Sequence, residues 1–141
     1  MRVLALDIGT VRVGVAVSDP GMRVATPVCV LPSNEVRVCA KSFKNVLSDW
    51  EPELLVCGLP YTLNNEEGPQ AEFIKSFASD ISSTCGIPHV FTDERLSSAQ
   101  AKRILREKGY SEKAMRGKID MIAASLFLQA WLDEDNLKRE G

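Results

Sequence analysis

Three acidic side chains in this chain are placed where carboxylates are either costly or positioned, and together they could hold a hard divalent cation. Asp7 lies in the run Val3-Leu4-Ala5-Leu6-Asp7-Ile8. Glu94 follows the stretch Val90-Phe91-Thr92, and Asp120 opens a helix-type pattern after Gly117-Lys118-Ile119. Asp7 is the most telling. Both alternating sets around it, Val3/Ala5 and Leu4/Leu6/Ile8, are apolar, which predicts a strand covered on both faces. A bare carboxylate there is strongly unfavourable, so it needs a cation, a metal or a dense set of donors. Three convergent carboxylates make an all-oxygen site suited to Mg²⁺ or Mn²⁺. Two such ions about 3.5–4 Å apart can activate a water and stabilise the leaving oxygen in phosphodiester cleavage. That chemistry does not need histidine, and the chain has one, His89.

Each acid also has a plainer explanation. Asp7 could bond the turn amides of Gly9 and Thr10. Glu94 could pair with Arg95 or Lys118. Asp120 could simply favour a helix N-terminal dipole. The metal-site expectation rests on the three together. Around them, Gly9 and Gly14 are expected to shape a turn, by backbone geometry or by letting a phosphate approach closely. Arg12, in that turn, could touch a phosphate or be solvated. Ser97 and Ser98 follow the second acid. Helix capping explains Ser97 better than nucleophilic attack, because no histidine base is placed to activate it.

The elements that must position these residues are legible in outline. Arg2–Ile8 and Arg12–Ser18 predict an antiparallel hairpin around Gly9-Thr10, with Ala25–Leu31 adding to it. Ser33-Asn34 is expected to cap one helix carrying Val36, Ala40, Phe43, Val46, Leu47 and Trp50, stopped by Pro52. Leu54–Gly58 reads as a buried strand, 59–69 as a loop, and Phe73 to Ile81 as an amphipathic helix ended by Gly86. Pro88–Thr92 is another strand. Ser97 with Gln100 suggests a capping box for a helix closed by Gly109. A last helix carries Ile119, Ile122, Ala123, Leu126, Phe127 and Ala130, and 133–141 is expected to be a frayed polar tail. An antiparallel opening followed by strand–helix alternation implies an α/β fold, a mixed sheet with helices on both faces, whose strand ends collect functional residues.

The 141 residues suffice for one domain, 1–141, with a substantial core. No apolar run approaches a membrane span, and Met1-Arg2 leads straight into the Asp7 strand without a cleavable signal pattern. The four cysteines, Cys29, Cys39, Cys57 and Cys85, show no Cys-x-x-Cys spacing, which argues against zinc and a disulfide framework and for core packing in a cytoplasmic protein. Between Asp49 and Glu94 the only basic residue is Lys75. From Arg95 to Lys118 eight basic residues, Lys102 and Arg116 among them, stand against Glu107 and Glu112. Such a block suits an anionic partner, or a solvated helix face.

The motifs resemble those of the YqgF/RuvX family, bacterial proteins related to the Holliday junction resolvase RuvC. Leu6-Asp7-Ile8-Gly9-x-x-Arg12-Val13-Gly14-Val15-Ala16 is similar to the family's opening motif, and Gly58-Leu59-Pro60 with Gly68 to its Gly-Leu-Pro loop. Asp93-Glu94-Arg95-Leu96-Ser97-Ser98 with Ala101 resembles the second acidic motif, and Lys118-Ile119-Asp120 with Ala123, Ala124 and Leu126 the third. The matches run from Arg2 to about Leu132. The resemblance implies a ribonuclease H-like fold and a Mg²⁺- or Mn²⁺-dependent nuclease. Asp7, Glu94 and Asp120 would then be catalytic and metal-binding, with Arg12, Arg95, Lys118, Lys102 and Arg116 on nucleic acid. It further implies a role in 5′-end maturation of pre-16S ribosomal RNA, in contact with ribosomal particles, as a monomer or weak dimer. RuvC-type resolvases carry a fourth acid near the third; here Ala123 stands one turn after Asp120 and no acid replaces it. The alternatives are a junction resolvase acting on branched DNA as a symmetric dimer and a non-catalytic RNA-binding factor. Asp-Ile-Gly-Thr also resembles the phosphate turn of sugar kinases, but those need a second domain for which this chain is too short.

Overall fold

A computed structural model describes residues 1–61, 64, 66–95 and 97–140. Five strands, β1 (Val3–Ile8), β2 (Arg12–Ser18), β3 (Ala25–Pro32), β4 (Leu54–Leu59) and β5 (His89–Asp93), form one sheet in the order β3-β2-β1-β4-β5. β2 runs antiparallel to both of its neighbours, β1 and β3, while β4 pairs parallel with β1 and β5 parallel with β4. The mixed sheet follows from connection length. A three-residue link can only fold β2 back along β1, whereas helical crossovers return β4 and β5 in the direction of β1.

The period-two split of β1 decides what each face carries. Leu4, Leu6 and Ile8 pack under α1 (Ser33–Arg37), α2 (Lys41–Trp50) and α3 (Ala71–Cys85), through Val36, Phe43, Ile74 and Phe77. Val3 and Ala5 face α6 (Ile119–Glu140), through Ala124, Phe127, Leu128 and Leu132. Asp7 is next in that second row, so its carboxylate falls on the α6 side. α4 (Ser97–Glu107) packs on α6, with Ala101 and Leu105 buried, and α5 (Glu112–Arg116) links the two.

Four local expectations are corrected. The helix expected from Ser33 to Trp50 is two, broken at Val38–Ala40, where Cys39 takes a left-handed conformation (φ 51°) and the Ala40 N–H donates to Glu35 O at 2.8 Å. Local turn hydrogen bonding prevails over periodicity there. Ser33 does not cap: its hydroxyl donates to Gly9 O at 2.7 Å and its N–H to Val11 O at 2.9 Å, tying α1 to the β1–β2 turn. Ser97 is itself the first residue of α4, not the residue before it. Residues 133–140 are not frayed but continue α6, supported by Arg139–Asp135 and Lys138–Glu134 ion pairs at i,i+4 spacing. Gly86 and Gly109 take the positive φ that ends α3 and follows α4. Cys39 and Cys57 are buried, all four cysteines are free, and burial pushes the Cys57 thiol up to about 12. No helix among the described residues is long and apolar enough to cross a membrane.

Candidate active site

The three acids come from the three elements that meet at one end of the sheet. Asp7 is the penultimate residue of β1. Glu94 directly follows β5, its N–H donating to Leu59 O at 3.1 Å and so extending the β4–β5 pairing by one step. Asp120 is the second residue of α6, in the turn where a carboxylate is favoured by the helix dipole.

Two glycines make this convergence possible. Gly14 sits opposite Asp7 on β2. A Cβ at Gly14 would lie 2.1 Å from both the carbonyl carbon and oxygen of Asp120 and 2.6 Å from the Met121 nitrogen. The α6 N-terminus therefore rests on bare backbone, directly beside Asp7. Gly14 is thus not a turn residue, as expected from sequence, but a docking point within a strand. Gly58, in β4, does the same for the second acid: a Cβ there would meet Glu94 Cβ, Glu94 Oε2 and Phe127 Cε2, each at 2.9 Å. Only Gly9 lies in the turn proper. Its N–H donates to Arg12 O at 2.9 Å, and an added Cβ would stand 2.8 Å from that oxygen.

Asp7 and Glu94 share a hydrogen bond. Burial, then the Glu94 charge and the hydrogen bond to it, then Asp120, push the Asp7 carboxyl up to about 9. Burial first, and then the acids Asp93 and Asp120, also raise Glu94, while its bond to Asp7 works in the opposite sense. The pair holds a proton where two carboxylates would otherwise repel each other. Both side chains keep some surface open to solvent. Asp120 is held apart by an ion pair, Arg12 Nε to Asp120 Oδ2 at 2.9 Å, at the mouth of a cleft of about 250 Å³ formed by Gly9, Thr10, Val11, Arg12 and Asp120. Among the described residues no three acidic, cysteine or histidine side chains stand close enough to form a ready-made ligand set. The donors nonetheless suit a hard cation. They are carboxylate oxygens alone, and a proton is what such an ion would displace. The lone histidine is elsewhere, its Nδ1 bonded to Ser82 Oγ at 2.6 Å.

The chain matches the family model described as "RuvX: Holliday junction resolvase" over residues 1–134. It belongs to the RuvX family. Among RuvX relatives, a protein of Anaeromyxobacter sp. (strain Fw109-5) is 38% identical over 133 residues, covering 94% of this chain and 97% of the relative. One from Roseiflexus sp. (strain RS-1) is 36% identical over 132 residues, 94% of each. Both carry the name "Putative pre-16S rRNA nuclease". The fold is similar to that of T. thermophilus RuvC solved with a Holliday junction substrate (TM-score 0.55, 14% identity, 96% of this chain and 95% of that one). It is also similar to the fowlpox virus resolvase solved with Holliday junction DNA (TM-score 0.56, 11% identity, 95% and 98%). At that identity the likeness is one of fold, the ribonuclease H-like type of the resolvases. RuvX membership makes the chain a nuclease.

The basic residues expected on nucleic acid divide. Lys102 is exposed on α4, and Arg116 is exposed at the end of α5, just before α6 begins. Arg12 is engaged with Asp120. Arg95 is engaged with Asp93, Nε to Oδ2 at 2.9 Å, and Lys118 lies 5.7 Å from the centre of the Tyr110 ring. Sequence reasoning missed the space-making role of Gly58 and the flanking position of Phe127. A glycine interrupting a buried strand run was the available signal.

Proposed function

We propose that this RuvX protein is a divalent-metal-dependent endonuclease that hydrolyses phosphodiester bonds of pre-16S ribosomal RNA during 5′-end maturation, in the cytoplasm and on or near ribosomal particles. The observation that carries the proposal is the buried, proton-sharing Asp7–Glu94 pair with Asp120 at its side. It occurs in a chain similar over 94% of its length to proteins named for that activity. Asp7, Glu94 and Asp120 would hold Mg²⁺ or Mn²⁺. Bound there, the ion supplies Lewis acidity for the attacking water and the leaving oxygen. Asp7 and Glu94 give up their shared proton to admit it. Phe127, which shares with Glu94 the space left open at Gly58, keeps that side of the site apolar. Arg12, once released from Asp120, is free to meet a substrate phosphate, Lys118, Lys102 and Arg116 steer the strand, and Arg95 contacts it beside Glu94.

Ala123, fully buried one turn after Asp120, leaves the RuvC-type fourth acid without a counterpart. That favours ribosomal RNA over the branched DNA of resolvases, and a monomer or weak dimer over an obligate pair of sites. Purified protein and Asp7→Asn are incubated with a small-subunit rRNA precursor and, separately, a four-way DNA junction, each with Mg²⁺, Mn²⁺ or chelator. The expected result is metal-dependent cutting of the RNA alone, lost by more than about 100-fold in Asp7→Asn, since even outer-shell changes at metal sites cost about 10–100-fold. Paired cuts in the junction would replace the substrate. Binding without turnover would make the protein an RNA-binding factor.

A further inference from the structure

A cleft of about 400 Å³ opens between β5 and the C-terminal half of α6. That volume is in the range of small-ligand pockets, roughly 300–1,000 Å³. It is lined by Tyr61, Phe91, Trp131 and Arg95, together with Asp93, Glu134 and Lys138. The charges are already matched. Arg95 NH2 lies 2.8 Å from Asp93 Oδ2, and Lys138 Nζ lies 3.8 Å from Glu134 Oε1. Internally paired walls offer little to a phosphate. Aromatic rings and a guanidinium plane, lying 6.0 Å over the Tyr61 ring, suit instead a flat, uncharged heterocycle. β5 pairs with β4 alone, so its outer edge carries backbone donors and acceptors for the polar rim of such a ring.

Position ties this cleft to the site. Asp93 and Arg95, which line it, flank Glu94 in sequence. Phe127, in contact distance of the space beside Glu94, precedes Trp131 by four residues on α6, a rise of about 6 Å. We propose that the cleft receives one unpaired nucleobase of the substrate strand, stacked on Trp131, next to the phosphate at the carboxylates. This rests on the nuclease proposal above and deepens it: the substrate must have an unpaired nucleotide beside the scissile bond, so single-stranded or looped segments are preferred to continuous duplex.

The test uses the full chain carrying Trp50→Phe, which leaves Trp131 the sole tryptophan, in chelator so that nothing is cut. Its emission is followed while a 12-nucleotide RNA strand, the same strand with one central abasic position, or its blunt duplex is added. The expected result is quenching by the intact strand and little change with the duplex, with the abasic strand binding more weakly. Trp131→Leu should lower affinity for the intact strand roughly five- to hundredfold, as loss of one base stack does, and leave duplex affinity unchanged. Equal binding of intact and abasic strands with unchanged emission overturns the cleft and leaves the nuclease proposal standing. Failure of the intact strand to bind also overturns the cleft, while metal-dependent cutting of the rRNA precursor tests the nuclease proposal separately. The comparison of strands needs no variant at Trp131, so a folding defect there does not decide it.

Discussion

Asp7 concentrates the electrostatic tension of the molecule. Its folded carboxyl titrates at about 9, raised by burial and then by Glu94 and Asp120, against roughly 3.9 in an unfolded chain. Between those values the folded state retains a proton that the unfolded state has lost. The contribution of this group to the metal-free fold is therefore fully present below the lower value and is lost as pH rises through the upper one. Urea unfolding in chelator from pH 5 to 9 should show the midpoint falling with pH, and Asp7→Asn should flatten that fall. Divalent-ion binding should strengthen over the same interval, because it releases the shared proton. Arg12 makes a separate prediction. Its ion pair with Asp120 is half exposed on the arginine side, and such pairs are worth about 0–1 kcal/mol. Arg12→Ala should change stability by no more than that. By calorimetry it should tighten Mn²⁺ binding up to about fivefold, because Asp120 loses a competing cation. Unchanged or weaker Mn²⁺ affinity would sink the idea that Arg12 holds Asp120 in reserve.

Elements enter through their contacts with bare backbone. α6 brings Asp120 to Asp7 because β2 offers no side chain at Gly14, and β4 offers none at Gly58 where Glu94 and Phe127 meet. Gly14→Ala places a methyl group 2.1 Å from the Asp120 carbonyl, too close to absorb by rotation of a flexible side chain. The helix must shift. Overpacking of this kind costs about 1–3 kcal/mol or more. Urea unfolding should show that loss, and cleavage should fall more than stability alone explains, since Asp120 moves with its helix. A fully folded, fully active Gly14→Ala protein would refute the docking role. The β1–β2 turn is braced from the other side by Ser33, whose hydroxyl and amide hold Gly9 and Val11, so the turn that presents Arg12 is tied to α1 by hydrogen bonds.

Across the whole molecule the charges separate around the site. The near-neutral total of −2 conceals the basic α4–α5 segment, where Lys102 and Arg116 stand exposed. Each phosphate contact adds about 0.7–0.9 to the slope of log affinity against log salt. The double variant Lys102→Gln, Arg116→Gln should therefore lower that slope by about 1.4–1.8 in a filter-binding titration, while the thermal midpoint stays nearly constant. An unchanged slope would mean that this surface faces solvent only.

The acids themselves, the hairpin, the mixed sheet and the amphipathic helices were legible in the chain because they rest on local patterns: period two in Val3–Ile8, a short link at Gly9, helical spacing from Phe73 to Ile81. The same local information misjudged the break at Cys39, settled by the balance of turn and helix hydrogen bonds, the Ser33 hydroxyl, settled by a partner distant in sequence, and the helical end of α6, where i,i+4 ion pairs oppose fraying. Sequence also offered three acids without saying how they meet. Spatial packing supplied that: Gly14 and Gly58 as vacancies that admit a helix end and a carboxylate, the proton shared by Asp7 and Glu94, and the Arg12 pair that occupies Asp120. These depend on distances between residues as far apart as 7 and 120, and no spacing along a chain encodes such a distance until the sheet has brought its strands together.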